Sequence, residues 1–63
     1  MKYEAIVEYT RDSIAEQFAT TLDDERLVIP LDEAARGRAE RYVEAHYYGQ
    51  AFKVTRVTLR RAL

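Results

Sequence analysis

A histidine base and a serine nucleophile are the first catalytic groups to look for, and this 63-residue sequence has one residue of each type. The only histidine, His46, lies beside two tyrosines in the stretch VEAHYYGQ, and the only serine, Ser13, lies far from it along the chain. Nucleophilic catalysis needs a serine, threonine or cysteine next to an activating base. Ser13 instead begins SIAE, which has the spacing of a helix capping box, so we expect its hydroxyl to cap a helix. The two residues therefore predict no nucleophilic site.

Metal and phosphate sites are not indicated either. A zinc site normally takes three or four histidine, cysteine or carboxylate ligands, and this chain has one histidine and no cysteine. Glu40 and Glu44 are one helical turn apart, but Arg36 and Arg41 are close by, which favours a solvated, salt-bridged helix face. The two glycines are isolated, so no phosphate-cradling loop is present. We therefore expect no metal, no cofactor and no enzymatic activity.

The N-terminal third of the chain predicts a strand followed by a short helix. Apolar and polar residues alternate in KYEAIVEYT, which is typical of a half-buried strand. After the capping box, Ile14 and Phe18 fall on one side of a helical wheel, opposite Glu16 and Thr20, and predict a short helix from about residue 14 to 22. The alternative is a turn at TRDS followed by a second strand. Because Glu16 and Thr20 would share the apolar face of that strand, the helix is favoured.

The middle of the chain predicts a second strand and a long helix. The continuous apolar run Leu27–Ile29, stopped by Pro30, is typical of a short buried strand. The segment that follows predicts a helix from Glu33 to Tyr48, with Asp32 as its N-cap and Gly49 in the left-handed conformation that ends many helices.

The two sides of the long helix have different predicted roles. A helical wheel places Ala35, Ala39, Tyr42 and His46 on the inward face and directs Tyr48 outward. We therefore expect His46 to pack against the core near the end of the helix, and Tyr48 to be free to contact a partner.

The last segment, AFKVTRVTLRR, predicts a strand whose alternation changes phase between Val54 and Val57. This indicates either a bulge near Thr55 and Arg56 or a strand with both faces partly covered. The predicted fold is one α+β domain over residues 1–63, in the order β-α-β-α-β. It has one long and one short helix packed on one face of a three-stranded sheet. If the second segment is a strand, the order becomes ββ(β)αβ.

Both layouts leave sheet edges and one sheet face thinly covered. This predicts a homodimer that extends or stacks the sheet. The N-terminal sequence carries charges every few residues and no apolar h-region, so we expect neither a signal peptide nor a membrane span. We predict a cytoplasmic location, which suits a chain without cysteine.

Charge is unevenly distributed along the chain. Residues 1–35 carry nine acidic and three basic side chains, a net charge of −6, and residues 36–63 carry two acidic and seven basic, a net charge of +5. The simpler expectation is that oppositely charged elements lie side by side and cancel. The other is that the charges form an interaction surface.

The acidic half predicts a protein-binding surface. Carboxylates flank the predicted first helix, and we expect them to form a compact negative surface that meets a basic partner. The outward Tyr48 adds an aromatic contact of the kind enriched at interfaces. The predicted partner-binding residues are Asp12, Glu16, Asp23, Asp24, Glu25 and Tyr48.

Two alternatives stay open. Basic residues recur along the last strand beside Phe52, as in proteins that bind single-stranded RNA or DNA with a basic groove and exposed aromatics. The pI near 5.7 argues against this, because such domains are usually basic. The residues of this alternative are Lys53, Arg56, Arg60 and Arg61. The other alternative is a self-assembling structural subunit without a heterologous partner.

The strand and helix layout carried by KYEAIVEY, RLVIPLDEAARGRAERYVEAHYYG and FKVTRVTL, together with the acidic clusters, resembles small inhibitors encoded by phages and mobile elements. Anti-CRISPR proteins are the best-known group of these. The resemblance spans the whole chain and rests on size, layout and charge. It implies a non-enzymatic inhibitor that occupies the nucleic-acid-binding or nuclease-recruitment surface of a partner protein, and it assigns no role to a single residue.

Overall fold

The computed structural model describes residues 1–62, which contain a three-stranded antiparallel sheet and one α-helix. In chain order the elements are β1 (Lys2–Arg11), β2 (Ile14–Asp23), a 3₁₀ turn (Asp24–Arg26), α1 (Leu31–His46) and β3 (Phe52–Arg61). The strands lie in the spatial order β2-β1-β3. The α+β class is confirmed, but the order is ββαβ, so the predicted β-α-β-α-β layout with two packed helices is wrong.

Residues 14–22 lie in strand β2, so the predicted short helix is wrong and the alternative, a second strand, is correct for this segment. Asp12 and Ser13 have φ angles of 48° and 70°, which makes the connection a two-residue type I′ hairpin turn. The Asp12 amide donates to the Ala51 carbonyl (3.0 Å), and the Asp12 carboxylate accepts from the Ala51 amide (2.9 Å). Ser13 thus lies in a turn and caps no helix.

The polar residues on the helix-facing side of β2 have partners at the sheet edge. Glu16 accepts two hydrogen bonds from Arg11, from Nε to Oε1 (2.9 Å) and from Nη2 to Oε2 (3.0 Å). Thr20 accepts from Nη1 of Arg38 in α1 (2.9 Å). Because two arginines bind these polar side chains, a strand can carry Glu16 and Thr20 on the face that packs against the helix.

The predicted strand at residues 27–29 is also wrong. The Asp23 carboxylate accepts from the Glu25 amide (3.1 Å), which caps the 3₁₀ turn directly after β2. Leu27 is half-buried and packs against the core, whereas Val28 is 99% exposed. The apolar run is therefore an exposed connection anchored by one residue.

Helix α1 covers one face of the sheet with small side chains. Its buried residues are Ala34, Ala35, Ala39 and Val43. They pack with the buried sheet residues Ala5, Val7, Tyr9 and Leu22. The alanines allow the helix to lie close to the sheet, and the largest fully buried side chains are only Leu22 and Val7. The core is therefore thin, and each of its members matters for stability.

The helix begins and ends two residues earlier than predicted. Pro30 precedes its first turn, so Asp32 lies inside that turn and is not the N-cap; there its charge favours the helix dipole. At the other end, the Tyr47 amide donates to the Val43 carbonyl (2.7 Å). Gly49 has a φ of 82°, so its predicted left-handed conformation is confirmed.

Strand β3 carries the predicted bulge. Its pairing with β1 passes from Glu8 opposite Arg56 to Tyr9 opposite Val54, which leaves Thr55 as an extra residue. The Thr55 hydroxyl donates to the Glu8 carbonyl (3.0 Å). The extra residue explains the change of phase in the sequence pattern.

Leu22→Ala and Val28→Ala form a matched pair that tests which aliphatic residue belongs to the core. Leu22 is 1% exposed, so its truncation should lower the free energy of unfolding by about 2–5 kcal/mol. Val28→Ala should change this free energy by less than about 0.5 kcal/mol. Urea denaturation measures both values. Equal losses would contradict the exposed position of Val28.

Candidate functional site

The sheet face opposite the helix is open and carries paired charges. Glu4 of β1 lies opposite Arg60 of β3, and Glu8 lies opposite Arg56. Both couples form ion pairs, with 3.7 Å between Glu8 Oε2 and Arg56 Nε. Ile6 lies between the two glutamates, half-buried. Glutamates from the acidic half of the chain therefore lie beside arginines from the basic half on the open face of β1 and β3.

The residues of the nucleic-acid alternative are divided between the two faces. They are Lys53, Arg56, Arg60 and Arg61. The register places the first three on the open face and the last on the helix side. Phe52 also lies on the helix side, where its ring packs against Tyr9 with 4.9 Å between centroids. The open face therefore does not combine its cations with Phe52 as a stacking platform, and glutamates bind two of the cations.

Asp12 and Glu16 lie at the hairpin end of the sheet, and contacts within the fold engage both. Asp12 binds the Ala51 backbone, as described above. Glu16 is bound by Arg11, whose guanidinium lies 3.8 Å from the centroid of the Tyr47 ring. The Arg11 hydrogen bonds hold the pKa of the Glu16 carboxyl below its ordinary value, against a smaller opposing effect of desolvation. These two carboxylates therefore stabilise the hairpin end.

Three other carboxylates gather at the opposite end of β2, around the amine of Met1. The amine nitrogen lies 2.7 Å from Asp24 Oδ1, and 3.4 Å from both Asp23 Oδ1 and Glu25 Oε1. The hydrogen bond to Asp24 is the main reason why the pKa of the amine is raised to about 10. The Glu25 amide, by donating to Asp23, lowers the pKa of that carboxyl. We call Asp23, Asp24 and Glu25 the acidic cluster.

The structure therefore does not bring the predicted partner-binding carboxylates together into one compact negative surface. Glu16 and Asp23 are seven residues apart on β2, which is about 23 Å at the rise of an extended strand. In the predicted helix the same separation would be about 10 Å, because a helix rises less per residue. The change from helix to strand thus moves Asp12 and Glu16 away from the acidic cluster.

Two exposed aliphatic side chains follow the acidic cluster in the segment that joins β2 to α1. We call residues 23–30, from the last residue of β2 to the residue before α1, the β2–α1 connection. Val28 is 99% exposed and Ile29 is 48% exposed. They lie between Leu27, which packs against the core, and Pro30, which precedes the helix. The connection therefore presents carboxylates and apolar side chains on one short segment fixed at both ends.

Sequence reasoning missed Val28 and Ile29 as surface residues because a continuous apolar run is typical of a buried strand. The DDE sequence that precedes the apolar run could have predicted that these residues are exposed. An aspartate that can accept from a backbone amide two residues later favours a turn, and a turn at that point moves the run away from the sheet. The structure shows this contact between Asp23 and Glu25.

The end of helix α1 exposes both aromatic residues that the sequence singled out. Tyr48 is 95% exposed, as predicted. His46 is exposed too, so its predicted inward position is wrong. The inward stripe continues from Val43 to half-buried Tyr47, four residues on, and so bypasses His46. The His46 ring instead stacks on Tyr42 with 4.3 Å between centroids, and its Nδ1 lies 2.9 Å from the Tyr42 carbonyl oxygen.

Tyr48 belongs to the hairpin end of the molecule. Its neighbour Tyr47 stacks under Arg11, the last residue of β1. The acidic cluster lies at the other end of the sheet, next to Met1. Tyr48 and the acidic cluster are therefore not parts of one contact surface.

Among residues 1–62, no group of three or more histidine, aspartate or glutamate side chains is arranged to hold a metal ion. The same part of the chain has no helix with the length and apolar character needed to cross a membrane. Comparisons with protein-family models, curated proteins and solved structures found no match to this chain.

The Arg11–Glu16 pair predicts a component of acid sensitivity. Because the folded pKa of Glu16 lies below the ordinary value of 4.5, the folded state binds fewer protons than the unfolded state between the two values. The stabilisation by Glu16 is thus present above the unfolded pKa and is lost as the pH falls through the folded pKa. In Glu16→Gln, the free energy of unfolding should fall less steeply as the pH decreases below the ordinary glutamate pKa of 4.5.

Urea denaturation at several pH values measures this slope. Arg11→Gln is the second arm of the experiment, since removing the cation should flatten the slope by a similar amount. Unchanged slopes in both variants would contradict the assignment of the low pKa to the Arg11–Glu16 pair.

Proposed function

We propose that the chain is a non-enzymatic protein-binding module that binds its partner through the β2–α1 connection. We further propose that it is an inhibitor, which occupies a basic, nucleic-acid-binding surface of that partner. The supporting observation is the placement of three carboxylates and two exposed aliphatic side chains within residues 23–30.

The two kinds of side chain in the connection have complementary effects on binding. Carboxylates attract a basic surface and orient the encounter, which mainly raises the association rate. Apolar side chains that become buried at an interface add affinity, because their surface is removed from water. Glu25, 79% exposed, is the carboxylate best placed for the first effect, and Val28 for the second.

The connection is also held in place before binding. Leu27 packs against the core, and the Asp24 amide donates to the Met1 carbonyl (3.1 Å). A segment that is already ordered loses less conformational entropy when it binds. A short contact segment can therefore bind specifically despite its small area.

Charge supports the inhibitory mode. A surface that binds nucleic acid is basic because it neutralises phosphates, and clustered carboxylates are the protein groups that match it. The resemblance to phage-encoded inhibitors of the anti-CRISPR type points to the same mode and stays a prediction, as does the cytoplasmic location. Nucleic-acid binding by this chain itself is less well supported, because Glu4 and Glu8 pair with Arg60 and Arg56 on the open face.

Three variants of the chain test this proposal by affinity capture from a cell lysate. Asp24→Lys with Glu25→Lys removes the charge complementarity, and Val28→Ser removes the apolar anchor. Asp23 is left unchanged because it caps the 3₁₀ turn. Glu40→Lys with Glu44→Lys is the matched control, since it reverses two exposed charges on α1.

The first two variants should each reduce the capture of the wild-type partner at least about tenfold, which corresponds to about 1.4 kcal/mol. The control should bind as the wild type does. Nucleic acid added to the lysate should compete with the wild-type chain. Unchanged capture by both connection variants would contradict the proposed surface, and a lack of competition would contradict the inhibitory mode.

A further inference from the structure

The two edge strands of the sheet differ in their protection against pairing with another strand. Strand β3 carries four basic side chains and the Thr55 bulge, and natural proteins use both features to block edge pairing. Strand β2 pairs regularly with β1 over all ten of its residues and contains no lysine, arginine or proline. β2 is therefore an unprotected edge.

The hairpin turn determines which backbone groups of β2 point away from β1. In a two-residue hairpin the flanking residues, here Arg11 and Ile14, form a hydrogen-bonded pair, and such pairs alternate along the strands. The bond from the Asp24 amide to the Met1 carbonyl continues this alternation at the far end. The residues whose amide and carbonyl groups face outward are therefore Ala15, Gln17, Ala19 and Thr21.

The outward groups are accessible along most of the edge. The side chains of these four residues are short or uncharged, are exposed, and lie on the open face. Within residues 1–62, another element binds an outward group at Thr21, whose carbonyl accepts from Nη1 of Arg38 (2.8 Å). The stretch from Ala15 to Ala19 is thus open to an added strand.

Charge and the Arg38 contact restrict how two copies of β2 can pair. Antiparallel pairing about a two-fold axis places one residue opposite its own copy. An axis at Glu16 would oppose two like charges, which destabilises a strand pair. An axis at Phe18 would place Ala15 opposite Thr21 of the second copy, where Arg38 already binds the carbonyl.

An axis at Gln17 avoids both problems. It places Gln17 opposite its own copy and Ala15 opposite Ala19 of the second copy, and all of these residues have outward backbone groups. Phe18 then lies opposite Glu16 of the second copy, whose charge Arg11 already compensates. No like charges are opposed.

We propose that β2 pairs antiparallel with β2 of a second copy of this chain, about a two-fold axis at Gln17, to form one six-stranded sheet. Pairing also covers apolar surface on the helix side. Phe18 lies beside this edge with its ring 5.2 Å from that of Tyr42, which is 37% exposed. This inference goes beyond the proposed function, because it uses the sheet edge and leaves the β2–α1 connection outside the paired residues.

A charge-swap experiment at the axis tests the proposal. The wild-type chain should have twice its 7.4 kDa mass in sedimentation experiments over a range of protein concentrations. Gln17→Lys and Gln17→Glu each oppose like charges at the axis, so each variant alone should shift to the single-chain mass. An equal mixture of the two should restore the double mass, because lysine then lies opposite glutamate.

Thr58→Lys is the matched control. This variant adds the same positive charge as Gln17→Lys on the open face, but next to Ile6 and away from the β2 edge. It should therefore keep the double mass. Far-ultraviolet circular dichroism checks that every variant is folded.

Three results would overturn the proposal: a single-chain mass for the wild type at all concentrations, a double mass in both Gln17 variants, or equal loss of the double mass in Thr58→Lys. The last would indicate stacking of the open faces. Because Gln17 lies outside the connection, these results are separate from those of the capture experiment.

Discussion

The close packing of helix α1 against the central strand β1 determines which surfaces this chain exposes. Ala35 and Ala39 of the helix and Ala5 and Val7 of the strand are fully buried. These side chains are small, so a single thin apolar layer joins helix and sheet. Because side chains alternate along a strand, burial of one face of β1 leaves its other face to solvent. With β1 in the centre, both remaining strands become edges.

Contacts between residues that are distant in sequence stabilise the two ends of the sheet. At the hairpin end, Asp12 binds the backbone at Ala51, and Arg11 joins Glu16 to the ring of Tyr47. At the other end, the Met1 amine lies among the carboxylates of the acidic cluster. These contacts leave free, among other groups, the outward backbone of β2 from Ala15 to Ala19 and the exposed side chains of Val28 and Ile29.

These two surfaces are suited to different partners. The connection combines charge with apolar anchors, which suits a heterologous protein of opposite charge. The β2 edge offers backbone groups and short uncharged side chains, which suit another strand. Pairing at Gln17 uses residues on the hairpin side of β2, so two copies can pair while each connection stays accessible. A dimer would then present two connections and bind a repetitive partner more tightly than one copy does.

Local signals predicted the parts of the fold that depend on few residues. The alternation in β1, the phase change around Thr55 and the left-handed Gly49 were correct because each is encoded within a few positions. The adjacency of Asp23, Asp24 and Glu25 likewise ensured that they form one cluster.

Local signals could not predict the structure of segments in which the spacing of apolar residues fits both a helix and a strand. Residues such as Ile14, Phe18 and Leu22 recur every four positions, which suits both a helix and a strand. The choice depended on Glu16, and its partner Arg11 comes close only after a type I′ turn without glycine. Because residues 14–22 were predicted to form a helix, Asp12 and Glu16 were wrongly placed on the same surface as the acidic cluster.

Strand β2 lies at the edge of the sheet with alternate backbone groups facing outward, and amide hydrogen exchange followed by NMR detects this alternation residue by residue. In Gln17→Lys, the amides of Glu16, Phe18 and Thr20 should exchange slowly, while those at position 17 and at Ala19 exchange fast. In the wild type, the amides of Gln17 and Ala19 should become slow as well. Uniform protection of residues 16–20 in the variant, as in a helix, would show that β2 is not an edge strand. Fast exchange of Gln17 and Ala19 in the wild type would show that this edge does not pair with a second copy.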